Sequence, residues 1–237
     1  MKFFLQKHMN SLKYSLHKPF CIVTAVIQQE DYTGFLSQEE KNLIAGSCHG
    51  RMMEFSAGRA AAKTAVHYLC GDFQNPAEFS VKYDADGAPF VQNVPFVSIS
   101  HSNHIAAAVC AEEAVGIDVH TLSAMAYDVR DGYLSPKEIH LTEHSGNRIF
   151  AFSAAWCAKE SMSKIIRKGL AVMKHIRLDC FSPYPDNLRI KMHYHQYSCT
   201  AWIWHTGNEI FSFCTTDSAG KQFRHEISAL ISDLHGG

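Results

Sequence analysis

The chain has 237 residues, 46% of them hydrophobic and 19% charged, with a formal net charge of −1 when the histidines are neutral. That balance describes an ordinary globular protein able to bury a sizeable core. It excludes a global field that would draw the chain to nucleic acid or to a membrane surface, so an anionic partner must be met by a local basic patch. Eight cysteines, at positions 21, 48, 70, 110, 157, 180, 199 and 214, include no CxxC pair. They supply neither a zinc ribbon nor a disulfide framework, and a reducing, cytoplasmic setting is expected. No apolar run approaches a membrane span, and the run at Met1–Leu5 is too short for a signal peptide. Residues 1–18 read as an N-terminal extension with little structure of its own. Fifteen histidines raise the question of a metal, but His193 and His195 share a strand face without a third ligand nearby in sequence.

Taken in order, Cys21–Ile27 is a β-branched apolar run and predicts a buried strand. Ser37 followed by Glu40 forms a capping box that opens a short helix. An alanine-rich helix is expected from Arg51 to Leu69, stopped at Gly71. Strand candidates follow at 79–83, 90–91, 96–100 and 105–111, with turns at Asp86-Gly87 and Ser102-Asn103. The second half repeats this order of elements. Val115–Val119 is a strand, Ser135-Pro136 opens a short helix, and 147–168 forms a long one ending at Gly169. Strands are expected near 172–181, 188–194, 200–204 and 209–214, and then a tail with Ile227, Leu230, Ile231 and Leu234 at helical spacing. The fold class expected is α+β, with two similar lobes at 19–114 and 115–220 and a C-terminal tail at 221–237. Each lobe is a small antiparallel sheet against a long helix. The site is expected at the seam where the second lobe begins.

Four residues of the second long helix, Trp156, Glu160, Lys164 and Lys168, recur at intervals of four. Such spacing drifts by about 40° per step and makes one slowly winding stripe. A Glu one turn before a Lys is also an ordinary helical ion pair, which accounts for Glu160 and Lys164 without any function. Strand alternation in Val115–His120 sends Gly116, Asp118 and His120 to one face. An Asp on an apolar strand is costly unless neutralised, and a divalent cation held between Asp118 and Glu160 would neutralise it. On the first long helix Arg51, Arg59 and Lys63 lie on one side. They read either as a solvated basic stripe or as a clamp for phosphates. Ser100, His101 and Ser102 end a strand in a polar turn that suits a phosphate. Two carboxylates from separate elements, with lysines beside them, describe magnesium-dependent phosphoryl-type transfer. No Walker loop, GxGxxG or nucleophile elbow is present.

Several of these pieces stand in a familiar order. Gly58-Arg59-Ala-Ala-Ala-Lys63, Asp86-Gly87-Ala88-Pro89, Ser98-Ile-Ser100-His101-Ser102, Gly116-Ile-Asp118-Val119 and Trp156-Cys-Ala-Lys159-Glu160-Ser161 with Lys164 resemble the 4′-phosphopantetheinyl transferases. The likeness is to the longer, pseudo-dimeric kind. It implies two α+β lobes in a pseudo-twofold arrangement with coenzyme A in the cleft. It also implies a reaction in which a serine of an acyl or peptidyl carrier protein attacks the coenzyme's pyrophosphate, releasing adenosine 3′,5′-bisphosphate. Carried over by residue, Asp118 and Glu160 would hold Mg²⁺, Glu160 would take the serine proton, and Lys164 would stabilise pyrophosphate charge. Ser100 and His101 would meet the 3′-phosphate; Arg51, Arg59, Lys63, Gly87, Pro89 and Lys159 would add coenzyme contacts. Lys159, Arg167 and Lys168 would face the acidic carrier. Trp156 would pack beneath its helix. Neither nucleic acid nor membrane is an expected partner, and two lobes in one chain make a monomer sufficient.

Two positions depart from the pattern. Where many relatives carry a Glu two residues after the metal Asp, this chain has His120. Either water fills that position or the imidazole touches the metal and favours Mn²⁺. Ala88 stands where a basic residue is usual. These departures motivate an alternative reading, a non-catalytic coenzyme A or carrier-protein binding module. A third reading, another metal-dependent phosphate-handling enzyme, fits the residue chemistry but not the order of the motifs.

Overall fold

The computed structural model describes residues 12–17, 20–28, 30–71, 75–144, 147–184 and 187–219. Within them the chain divides into two compact units, Met1–Glu113 and Ala114–Gly237. In each, an antiparallel sheet packs against one long helix, so the α+β class is observed.

Unit 1 begins with β1 (Leu12–His17) and β2 (Phe20–Val26), followed by the short helix α1 (Gln38–Leu43) and the long helix α2 (His49–Cys70). Next come a two-stranded hairpin, β3 (Lys82–Tyr83) and β4 (Pro89–Phe90), and then β5 (Phe96–His101) and β6 (Ile105–Ala111). The main sheet has the order β1-β2-β6-β5. The N-terminal segment is therefore not wholly outside the fold: β1 pairs with β2 from Leu12↔Ala25 to His17↔Phe20. Its alternation of Leu12, Tyr14 and Leu16 is a strand pattern, and Leu12 joins the core. Helix α2 ends as the sequence predicts, with Gly71 at φ +78° as a left-handed cap. Its alanines 57, 60, 61, 62 and 65 let it lie close to β2 and β6, where Cys21, Val23 and Ala25 complete the same cluster.

Unit 2 runs β7 (Val115–Thr121), the short helices α3 (Met125–Asp128), α4 (Arg130–Tyr133) and α5 (Pro136–Glu143), the long helix α6 (Arg148–Ile166), and then β8 (Arg177–Tyr184), β9 (Asn187–Tyr194), β10 (Tyr197–Thr206) and β11 (Glu209–Thr216). The sheet order is β7-β11-β10-β9-β8. Asn147 caps α6 by accepting from the amide of Phe150, and Arg167 closes it at φ +55°. The helix stops short of Lys168 for that reason. The predicted strand at 172–181 starts late, because 170–172 form a 3-10 turn and pairing begins at Arg177. The predicted tail helix at 227–234 lies outside the described residues.

Candidate active site

The site is built where α6 crosses β7. A Cβ added to Gly116 would lie 1.9 Å from the carbonyl oxygen of Ser161, so only glycine lets helix and strand approach this closely. Ser161 of α6 and Ser212 of β11 share a 2.7 Å hydrogen bond beside that contact. Pairing of β7 with β11 places Gly116, Asp118 and His120 opposite Cys214, Ser212 and Ile210. The face of β7 toward α6 thus carries the polar residues of the strand.

Asp118 is 2% exposed, while the side chains of Glu160 and Lys164 are each 24% exposed. The ammonium of Lys164 donates to Asp118 Oδ1 at 2.9 Å and to the carbonyl of Ile117 at 2.7 Å. It lies 3.8 Å from Glu160 Oε1. The two carboxylates therefore meet around one cation. Burial, and then the Asp118 charge, push the Glu160 carboxyl up to about 7; Lys164 and a hydrogen bond from Trp156 offset this only partly. Burial and Asp118 also raise the thiol of Cys157 well above its ordinary value, leaving it a neutral packing residue.

Burial lowers the pKa of His120 despite the nearby Asp118 and Glu209, so the ring is neutral. Its Nε2 is buried without a hydrogen-bond partner among the described residues. The ring lies 6.2 Å from that of Trp156, which makes an edge contact with Tyr133 at 5.1 Å. Trp156 packs against Tyr133 and His120, as expected for a supporting residue.

The donor set suits a hard divalent cation. Two carboxylates converge, one with its pKa raised partly by the other, which marks negative charge that a single ammonium does not fully balance. Among the described residues no three His, Cys, Asp or Glu side chains are gathered as a metal-binding group, so His120 is not assembled with the two acids into a triad. A Mg²⁺ ion characteristically needs only one or two carboxylates, the rest coming from water and substrate.

The lysines divide sharply. Lys159 is fully buried: its ammonium donates to the carbonyl of Tyr133 at 2.7 Å and to Glu138. Glu138 in turn accepts from the amides of Ser135 and Leu178. Lys159 is thus a structural counter-ion with no surface to offer coenzyme or carrier, whereas Arg167 and Lys168 are exposed. Lys63 in unit 1 is equally buried. Its three donors are spent on Phe35 O, Glu40 and Pro76 O, which leaves none for a phosphate. Arg59 is 3% exposed, stacked on Phe55 and Tyr83 with Nε 3.4 Å from Glu40. Lys63 therefore belongs to a core ion cluster around Glu40 and not to a phosphate clamp, while Nε and one terminal nitrogen of Arg59 are buried without a hydrogen-bond partner among the described residues.

The other unit 1 candidates differ in exposure. Gly87, at φ +78°, turns the β3–β4 hairpin, with Asp84 accepting from the amides of Asp86 and Ala88, and Pro89 opens β4. Ser100 is buried near the end of β5, and His101 beside it is exposed. Its Nδ1 and the Arg51 guanidinium each lie 3.9 Å from Glu54, a residue the sequence reading passed over. Glu54 helps line a cavity of about 270 Å³ with Gln28, His49, Met53 and Asn103.

Family comparison agrees with this division. The 4′-phosphopantetheinyl transferase N-terminal domain matches residues 39–111, and the 4′-phosphopantetheinyl transferase superfamily matches residues 114–218. The chain belongs to the 4′-phosphopantetheinyl transferases. The paired matches fit the longer architecture of that family, and a phosphopantetheinyl transferase function follows in general terms. No curated protein matches the chain. Asp118, Glu160 and Lys164 fall in the transferase superfamily match; Arg51, Gly87, Pro89, Ser100 and His101 fall in the N-terminal one. Among the described residues no helix is long and apolar enough to cross a membrane.

Proposed function

We propose that the chain transfers the 4′-phosphopantetheine arm of coenzyme A to a serine of an apo acyl or peptidyl carrier protein. The observation that carries this is the meeting of Asp118 and Glu160 on the ammonium of Lys164, inside the segment that matches the transferase superfamily. In the metal-free chain burial pushes the Glu160 carboxyl up to about 7, which supports its assignment as the proton acceptor. It takes the serine proton as the serine oxygen bonds to the pantetheine-side phosphorus. The bond from that phosphorus to the bridging oxygen breaks, and adenosine 3′,5′-bisphosphate leaves. Lys164, already donating to Asp118, is placed to neutralise charge on the pyrophosphate. Bound between Asp118 and Glu160, Mg²⁺ would supply further charge neutralisation on the same oxygens. His101 with Ser100 is assigned to the coenzyme's 3′ position. Exposed Arg167 and Lys168 are assigned to an acidic carrier surface.

Mass spectrometry of apo carrier proteins incubated with coenzyme A and Mg²⁺ tests the reading. Addition of one phosphopantetheine group to the active serine is expected; no adduct on any of several carriers refutes it. The ammonium seated between the two acids is also what a coenzyme-binding module without turnover could retain. Calorimetric binding of coenzyme A with no adduct would favour that second reading.

A further inference from the structure

Lys164 does not behave as the helical partner that its spacing suggests. Glu160 stands one turn before it on α6, yet the ammonium stays 3.8 Å from that carboxylate. It reaches across to β7 instead, donating to Asp118 Oδ1 at 2.9 Å and to the carbonyl of Ile117 at 2.7 Å. A pair serving helix stability would favour Glu160. The side chain thus holds the position between the two acids that suits a divalent cation, and supplies the counter-charge of an Asp that is 2% exposed. Two cations cannot share that position. At about 4 Å a doubly charged ion and an ammonium repel several times more strongly than an exposed ion pair attracts.

The other acid-bound lysines of the two cores mark the difference. Lys63 and Lys159 pair with Glu40 and Glu138 on side chains that are 0% exposed. Lys164 is 24% exposed and sits on a flexible four-carbon stem. Rotation about its own bonds takes the ammonium off Asp118 while α6 stays in place.

Resting on the reading of Asp118 and Glu160 as the metal pair, we propose that Lys164 is a built-in counter-cation that competes with the metal for Asp118. It holds the two acids together in the metal-free chain, weakens their affinity for a bare divalent ion, and turns its ammonium toward the coenzyme's pyrophosphate once displaced. Binding of Mn²⁺ to the chain without coenzyme or carrier, followed by the electron paramagnetic resonance of the free ion, tests this. Lys164→Met keeps the linear stem without the charge, and binds Mn²⁺ at least about tenfold tighter than the wild type. Lys164→Arg keeps the charge and stays within about threefold of the wild type. Equal or weaker binding by Lys164→Met overturns the proposal. A second measurement needs no variant: acetylation of the wild type by acetic anhydride, mapped by mass spectrometry with and without Mg²⁺. Labelling of Lys164 rises at least about threefold with Mg²⁺, relative to exposed Lys168. Labelling that Mg²⁺ leaves in place overturns the proposal however the variants behave. Neither readout involves transfer. Tighter Mn²⁺ binding by Lys164→Met with no carrier modified supports the role of Lys164 and counts against the transferase reading alone. Brisk transfer with unchanged Mn²⁺ affinity counts against Lys164 as a competitor alone.

Discussion

The two units use one device for stability and differ in what they add to it. In unit 1 the capping-box residue Glu40 reaches back to the Ser37 amide, takes the amide of Val81, and pairs with Lys63, whose ammonium also donates to the carbonyl of Phe35. In unit 2 Glu138 does the same with the Ser135 and Leu178 amides and with Lys159, whose ammonium donates to the carbonyl of Tyr133. Each buried Glu–Lys pair joins a short helix, the long helix and the strand that follows. Past this shared pair the units diverge. The residue after Lys63 is Thr64, and the residue after Lys159 is Glu160. The strand under α2 presents Cys21, Val23 and Ala25, while that under α6 presents Gly116, Asp118 and His120. The strand facing the long helix carries an acid in unit 2 and only small or apolar residues in unit 1.

The comparison breaks most visibly at the paired positions Glu160 and Thr64. Glu160→Ala is expected to lower kcat for transfer by about 1,000-fold, the upper range for loss of a general base with a second role in binding charge. Asp118→Ala should fall at least as far, because it also strands Lys164. Thr64→Ala should change kcat by less than about threefold, since a buried hydroxyl in the apolar unit has no part in the reaction. A large loss at Thr64 with intact fold would mean that unit 1 contributes directly to the chemistry.

Breaking the shared device tests stability. Glu40→Ala leaves both Lys63 and Arg59 buried without their acid, whereas Glu138→Ala strands Lys159 alone. Loss of one partner of a buried pair costs about 3–5 kcal/mol, and Glu40→Ala is expected at the upper end. Chemical denaturation followed by circular dichroism measures both variants. Tryptophan fluorescence isolates unit 2, where Trp156, Trp202 and Trp204 all lie. Equal losses would show that Arg59 draws its stabilisation from the Phe55 and Tyr83 rings rather than from Glu40.

The helix–sheet contacts differ in a further way. Gly116→Ala drives a Cβ into the Ser161 backbone at 1.9 Å, while Gly58→Ala in unit 1 meets only the Ile99 methyl at 3.2 Å. The first should cost about 3 kcal/mol and displace Asp118 from Lys164; the second should stay within about 1 kcal/mol. Thermal denaturation with a parallel transfer assay separates them, and a benign Gly116→Ala would show that α6 can slide.

How far these features were legible depends on their range in sequence. The capping box at Ser37, the helix start at Ser135-Pro136 and the glycine stop at Gly71 are local, so a few neighbouring residues specify them. The alternation of Gly116, Asp118 and His120 was equally plain, and with Glu160 and Lys164 at helical spacing it picked out residues that the structure gathers. What stayed hidden was the destination of the charges. Helical spacing puts Arg59 and Lys63 in a stripe but cannot say that Glu40 and Glu138 are the buried counter-ions of Lys63 and Lys159, more than twenty residues away. Glu54 was missed for the converse reason: its partner His101 lies on another element, beyond the reach of any spacing rule. The strand at Leu12–His17, within the segment read as an extension, carries its alternation openly in the sequence.

The smallest expected effect concerns pH, and here the units should differ again. The Glu160 carboxyl titrates near 7 in the folded chain against 4.5 for the unperturbed group, so the folded state holds its proton more tightly than the unfolded state does. Unfolding then takes up fewer protons than it releases across that interval, and stability falls as pH rises from about 4.5 toward 7. In the metal-free protein the loss attributable to this group is about 1–3 kcal/mol, discounted for its partial exposure. Glu160→Gln keeps the shape without the titration and should flatten that slope when tryptophan fluorescence follows denaturation between pH 4.5 and 7.5. Mg²⁺ held by Asp118 and Glu160 would draw the Glu160 value down, so the inflection of kcat with pH should move to lower pH as Mg²⁺ is raised. An inflection that Mg²⁺ leaves in place would remove Glu160 from the metal.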